Sequence, residues 1–159
     1  MTTKNSTLVS NFEATPPVLN DVGNLHGVMR VAAGTVALAT TDSDNDDIVM
    51  LAPVPSNATV AHLYIASDAL GGSCTFNVGI YTDAGVVKDE DVFATAVADG
   101  AAMADVRFEA ADINTAGQKM YELAGDSTDP GGYYYIAATM AAAGGTAGDM
   151  SFIIHYVVS

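Results

Sequence analysis

The three histidines are the first candidates for chemistry, because imidazole is the commonest general base and a frequent metal ligand. They are His26, His62 and His155, and none of them lies in a recognisable motif. The sequence has no H-x-x-x-H pair, no C-x-x-C, no G-x-S-x-G and no phosphate-binding glycine loop. We therefore predict strand-face or interface roles for the histidines. We expect no catalytic residue, no metal site and no cofactor, and a protein that is not an enzyme.

An acidic run at residues 42–47 places Asp42, Asp44 and Asp46 at the first, third and fifth positions of a calcium loop. Asp47 stands where such a loop needs glycine, and Pro53 stands where it needs a bidentate glutamate. An EF-hand is therefore excluded. A solvated acidic loop is the expected structure, and a looser calcium site between strands remains an alternative.

Three consecutive tyrosines, Tyr133 to Tyr135, suggest either a platform for sugar rings or a packing surface. Neighbouring residues on a strand point to opposite faces, so only Tyr133 and Tyr135 can share one side. We predict that these two are interface aromatics. Together with Tyr64 and Tyr81, the cluster motivates the alternative of a carbohydrate- or receptor-binding module. Paired carboxylates of a glycosidase cannot be identified among so many acids.

The charge balance excludes one large class of function. Five basic residues stand against nineteen acidic ones, for a net charge of −14, and the basic residues are scattered. Nucleic-acid binding needs clustered Lys and Arg, so it is excluded. The N-terminus has no signal-peptide core and no segment is long enough to span a membrane, so we expect synthesis in a host cytoplasm and no membrane association. Cys74 is expected in the core.

Short apolar runs separated by turn residues predict an all-β fold, a two-layer antiparallel β-sandwich of jelly-roll type. The clearest signal is a strand at residues 73–81, where Cys74, Phe76, Val78 and Ile80 alternate with residues expected on an exposed face. Further strands are expected at residues 28–40 with a break at Gly34, at 48–51 ending before Pro53 and Pro55, at 60–66 and at 92–97, and at 133–140 and 150–158 joined as a hairpin. One short helix is expected at residues 115–124, with Gly125 as its C-terminal stop.

The first residues form a different kind of segment. Residues 1–26 are polar, carry Pro16 and Pro17 and show no sustained period, so we predict an extended N-terminal arm beside a β-sandwich domain at residues 27–159. Isolated apolar residues on such an arm can dock into grooves of a neighbouring molecule. The predicted contact residues are Leu8, Phe12, Val18 and Leu19.

Several segments resemble a group of tailed-phage virion proteins, the decoration or cement proteins common in marine podophage-like genomes. They are residues 27–31 (GVMRV), 47–55 (DIVMLAPVP), 58–60 (ATV), 76–81 (FNVGIY), 117–125 (GQKMYELAG) and 154–157 (IHYV). The resemblance implies a jelly-roll sandwich that assembles as a homotrimer and binds the major capsid protein. It also implies a place on the outer capsid surface of the virion, where the subunit stabilises the shell without catalysis.

Overall fold

The computed structural model describes residues 4–109 and 113–159. Its strands form two four-stranded antiparallel sheets. The elements are α1 (Thr7–Glu13), β1 (Met29–Leu38), β2 (Ile48–Pro55), β3 (Ala58–Ser67), β4 (Thr75–Tyr81), β5 (Val87–Ala98), β6 (Ala104–Asp105), a 3-10 turn (Ile113–Thr115), α2 (Met120–Leu123), β7 (Tyr133–Ala142) and β8 (Gly148–Val158). The first sheet has the strand order β1-β8-β3-β6 and the second has the order β2-β7-β4-β5.

The strand order is that of a jelly roll. The pairs β4–β5, β3–β6, β2–β7 and β1–β8 each join strands equally far from the middle of the strand series, as in one long hairpin that is rolled up. Rolling adds the contacts β3–β8 and β4–β7 and divides the strands between two layers. The predicted β-sandwich is therefore confirmed.

The alternation predicted around β4 is correct for its buried face but not for its opposite face. Cys74, Phe76, Val78 and Ile80 are all buried between the sheets. The opposite face is not as exposed as predicted, because Tyr81 is also buried. The backbone of β5 crosses this face so closely that a Cβ on Gly79 would lie 2.1 Å from the Asp89 carbonyl oxygen. Glycine is needed here for the approach of another backbone.

The predicted break at Gly34 is wrong. The register between β1 and β8 runs without a shift from Met29 to Leu38, and Gly34 lies opposite Phe152. A Cβ on Gly34 would lie 3.0 Å from the Phe152 ring. The glycine therefore makes room for an aromatic side chain on the neighbouring strand and does not bend its own strand.

The prolines do not end β2 as predicted. Pro53 pairs with Tyr135 and Pro55 pairs with Tyr133 inside the strand. This is possible because β2 is an edge strand, where a missing N–H facing solvent costs no ladder hydrogen bond.

The last two strands are not a hairpin. β7 pairs with β2 and β4 in one sheet, whereas β8 pairs with β1 and β3 in the other. The glycine-containing connection between them crosses from one layer to the next. Composition predicts a turn of this kind but not the sheet to which the chain turns.

The predicted helix is shorter than expected, and a second helix was not predicted. α2 begins after Lys119, whose N–H donates to Glu122 Oε2 at 2.7 Å, and it ends at Gly125 with φ +80°. Thr115 does not cap it and lies in the preceding 3-10 turn. In the arm, α1 starts at the N-cap Ser6 and buries no residue.

Arg107 is a buried residue whose role the sequence did not indicate. Its side chain is 1% exposed and lies between the rings of Phe93 and Phe108, with its Cζ 5.0 and 4.4 Å from their centroids. The guanidinium donates to the Val60 and Thr115 carbonyl oxygens at 3.0 Å and to Thr115 Oγ1 at 3.2 Å. It therefore ties the segment after β6 to β3 and to the 3-10 turn.

Candidate functional site

The arm folds back on itself after α1. The Asn11 side-chain amide donates to Asn20 Oδ1 at 2.8 Å, and the Asn20 amide donates to the Leu8 carbonyl oxygen at 3.1 Å. The Val18 N–H donates to the Asn11 carbonyl oxygen at 3.0 Å. These bonds pair the helix with the returning chain, so the arm is a small lobe with its own internal contacts.

The predicted contact residues lie on the outside of this lobe. Phe12 is 71% exposed, Val18 54% and Leu19 95%, and together they line an apolar groove of about 380 Å³. Leu8 is half-buried and lines an adjoining groove of about 250 Å³ with Phe12. The structure therefore brings all four predicted residues into one area, which we call the arm surface.

Sequence reasoning missed part of the arm surface. Val9 and Val22 are also exposed, and Leu25 and His26 line both grooves. A helical spacing between Leu8, Val9 and Phe12 was the available signal, but α1 is only seven residues long. Short helices give weak periodicity, so the pattern was not recognised.

The lobe is fixed to the sandwich at its base. Lys119 Nζ, next to α2, lies 3.0 Å from Asp21 Oδ2, and the Gly23 N–H donates to Asp21 Oδ1 at 2.7 Å. The Gly23 amide and then the Lys119 ammonium lower the pKa of Asp21 below its ordinary value. The ion pair therefore links the base of the lobe to the body beside α2.

Charge is distributed unevenly along the chain. Residues 1–38 carry Lys4 and Arg30 against Glu13 and Asp21, so they are formally neutral. The whole net charge of −14 lies on residues 39–159. The arm and β1 together are thus neutral in a strongly acidic chain, and a neutral apolar surface meets a partner with little electrostatic repulsion.

The tyrosine cluster on β7 alternates as predicted. Tyr133 is 62% exposed, Tyr135 is partly buried, and Tyr134 points inward at 6% exposure. The Tyr134 hydroxyl donates to Asp126, which also accepts from Lys88 Nζ at 3.1 Å. Burial and then the Asp126 carboxylate raise the pKa of Tyr134 to about 12. Tyr133 lies at the mouth of a surface cavity of about 440 Å³ that Tyr134, Lys88 and Asp126 also line.

Two other tyrosines differ in their exposure. Tyr81 is 1% exposed and its hydroxyl bonds to Thr139, so it cannot take part in the sugar-binding face for which it was considered. Burial raises its pKa. Tyr64 is partly buried on β3 and stacks on His62, with ring centroids 5.8 Å apart.

Two of the three histidines lie together on β3 and β8, and the third lies in the arm. His62 Nδ1 lies 2.6 Å from Asp105 Oδ2, and the His155 ring packs edge-on against His62 and Tyr64. Although burial opposes it, the hydrogen bond from His62 leaves the pKa of Asp105 lowered. His26 lies in the arm with φ 66°. Within residues 4–109 and 113–159, no group of three or more His, Cys, Asp and Glu side chains is arranged to hold a metal ion.

The acidic loop at residues 42–47 is closed by its own hydrogen bonds. Asp42 Oδ2 accepts from the Ala39 N–H at 2.9 Å, and Asp47 Oδ2 accepts from the Asp44 N–H at 2.8 Å. Asp42 and Asp47 line a cleft of about 280 Å³ between the end of β1 and the start of β2. The loop therefore places two carboxylates at an open side of the sandwich.

No helix in the described part of the chain is long and apolar enough to cross a membrane. No protein-family model and no curated protein matches the sequence. Among solved structures, the chain is similar to one in the capsid of Ralstonia phage GP4, at 21% identity over 84% of this chain and 86% of that chain, with a TM-score of 0.49.

Two further structures are similar over a comparable length. One is the capsid asymmetric unit of cyanophage Pam1, at 13% identity, 84% and 86% coverage and a TM-score of 0.46. The other is the acidic stable capsid structure of Helicobacter pylori bacteriophage KHP30, at 13% identity, 82% and 88% coverage and a TM-score of 0.42. All three are structures of phage capsids.

Proposed function

We propose that this chain is a non-enzymatic structural protein of a virion, a cement or decoration subunit that binds the major capsid protein on the outer capsid surface. The observation that carries the proposal is the arm surface. Phe12, Val18 and Leu19 are exposed there on a lobe that is held to the sandwich by an ion pair.

An apolar area of this kind is unfavourable in water unless another molecule covers it. Its side chains gain roughly 25 cal/mol for each Å² that is removed from solvent. A shell presents the same binding site many times, so contacts of the arm and of the body add through effective concentration. The acidic body would then face outward, where its charge keeps particles apart and repels DNA.

The test is binding to cognate capsids that lack this protein, measured by co-sedimentation. The variant Phe12→Ser/Leu19→Ser removes apolar area at exposed positions, so it is expected to fold normally and to lose at least about tenfold in affinity. Val86→Ser is the matched control, because Val86 is 59% exposed in the loop between β4 and β5. Equal binding by both variants would contradict the proposed role of the arm surface.

The number of associated copies is a separate matter. The sequence resemblance implies a homotrimer, whose molar mass would be three times the 16.3 kDa of one chain. Capsid binding through the arm surface does not depend on this number.

The cavity beside Tyr133 favours a second candidate function, a carbohydrate- or receptor-binding module of a head or tail fibre. An exposed aromatic ring next to the Lys88–Asp126 pair offers both a stacking face and hydrogen-bonding groups. A glycan-array screen with the wild type and Tyr133→Ala separates the two functions. Binding that is lost in Tyr133→Ala supports the module, and failure to bind any glycan rejects it.

A further inference from the structure

The four sheet edges of the sandwich are protected to very different degrees. An unprotected edge strand offers unpaired N–H and C=O groups to any strand that approaches, so proteins usually shorten, charge or interrupt such strands. β2 carries Pro53 and Pro55, and β6 is only two residues long. β5 carries four consecutive charged residues, at positions 88–91, and three register shifts against β4.

β1 has none of these protections. It is ten residues long, pairs with β8 in an unbroken register, and carries Arg30 as its one charged residue. Among the described residues its backbone pairs with β8 alone. Met29 and Val31 are more than half exposed on it. Among the sheet edges built from residues 4–109 and 113–159, β1 is therefore the one that is ready to accept a further strand.

We propose that the occupant of this edge is β1 of a second copy, paired antiparallel across a two-fold axis, which gives a dimer in place of the homotrimer that the sequence resemblance implies. Such a contact is self-complementary, because each residue of one strand meets the same partner residue in both directions. It also joins the neutral segments of two chains that each carry −14 elsewhere. The two sheets then become one continuous eight-stranded sheet.

The faces of β1 restrict the register of this pair. Ala32, Val36 and Leu38 face the core, and directly opposed residues in an antiparallel pair point to the same side. A two-fold axis perpendicular to the sheet must then pass beside a residue, and the two registers that pair the most residues of β1 have the axis beside Ala33 or beside Gly34. In these two registers the partner's Arg30 lies opposite Val36 or opposite Leu38, respectively.

Both positions place Arg30 at an acidic cleft. Val36 and Leu38 line the cleft of about 280 Å³ that also contains Asp42 and Asp47. Arg30 belongs to the core-facing set of alternating positions, so from the second copy it points toward these two carboxylates. The two-fold axis repeats the contact, and each copy both supplies an arginine and receives one. The acidic loop thereby gains a specific partner.

The inference is tested on the free protein, independently of capsid binding, by light scattering over a concentration series. The wild type is expected at twice 16.3 kDa. Arg30→Glu is expected to raise the dimer dissociation constant about tenfold or more, because it places like charges at both contacts. Lys4→Glu makes the same charge change in the arm and should leave the mass unchanged.

Mixing two variants separates this contact from a general effect on folding. Arg30→Glu and Asp47→Lys should each weaken their own dimers, whereas an equimolar mixture should form the heterodimer, in which both contacts join opposite charges. Arg30→Gln, which removes the charge without reversing it, should fall between the wild type and Arg30→Glu. A mixture no tighter than its components would overturn the pairing.

Cysteine trapping tests the register. The native Cys74 is buried, so the wild type should not cross-link. Ala33→Cys should form a disulfide-linked dimer under mild oxidation if the axis passes beside Ala33, and a mixture of Ala33→Cys with Thr35→Cys should do so if it passes beside Gly34. A monomer up to roughly 0.1 mM, or a trimer, would overturn the inference.

Discussion

Residues 1–38 and residues 39–159 both contain many apolar side chains, but they differ in net charge and in how far those side chains are buried. The first segment is neutral and leaves apolar side chains in solvent, and Leu38 at its very end is its only buried residue among those that the structure describes. The second segment carries the whole net charge and nearly the whole core. In the second segment apolar residues stabilise the fold, whereas in the first they are available to partners. Two pairs of substitutions and one single substitution test this division.

Two phenylalanines should give the largest contrast. Phe76 is 1% exposed between the sheets, so Phe76→Ala is expected to cost about 3–5 kcal/mol through lost burial and a cavity. Phe12 is 71% exposed in the arm, and Phe12→Ala should change the free energy of unfolding by less than about 0.5 kcal/mol. Urea denaturation measures both. A large loss of stability in Phe12→Ala would show that the arm belongs to the folding core.

Two arginines give the next contrast. Arg107→Met removes the charge-assisted bonds to Val60 and Thr115 and leaves their oxygens buried, so we expect a loss of about 2–3 kcal/mol. Arg30→Met lies on an exposed edge and should be nearly neutral for the stability of the single chain. Denaturation at a protein concentration low enough to keep the chain monomeric makes the comparison. Equal losses would mean that β1 contributes to the body as much as the Arg107 network does.

The ion pair between the two segments should give the smallest effect. The pKa of Asp21 is lowered in the folded protein, so its stabilising contribution is complete above the unfolded value of 3.8 and is lost as the pH falls through the lower folded value. For an exposed pair this is at most about 1 kcal/mol. Asp21→Asn should therefore loosen the arm near neutral pH, as measured by faster amide exchange in α1.

The pH dependence provides the check on that result. Below the folded pKa of Asp21, the wild type and Asp21→Asn should exchange at the same rate, because both lack the charge. Exchange in the sheets should be unaffected by Asp21→Asn at any pH. A difference that persists in strong acid would show that the effect does not come from the charge of Asp21 and would contradict the ion pair with Lys119 as its cause.

The sequence by itself predicted the strands, the turns and the two-layer architecture, but not the order of the strands in the two sheets. Strands and turns are local features, so they can be predicted from the sequence. A strand shows the two-residue period of buried side chains found at Cys74, Phe76, Val78 and Ile80, and a turn shows residues with the required backbone preference. The exposed apolar residues of the arm were also predictable, because they follow no period that would place them on one buried face.

Only the tertiary structure decided which strands lie at an edge. Contacts with segments far away in the sequence explain three features that were not predicted. They allow Pro53 and Pro55 to lie in a strand, they fill the space beside Gly34 in an unbroken strand, and they satisfy the buried Arg107 side chain. The burial of Tyr81 and the crossing between β7 and β8 depend on the same long-range contacts. Strand order is set by pairing between distant segments, and neither composition nor periodicity predicts which strands pair.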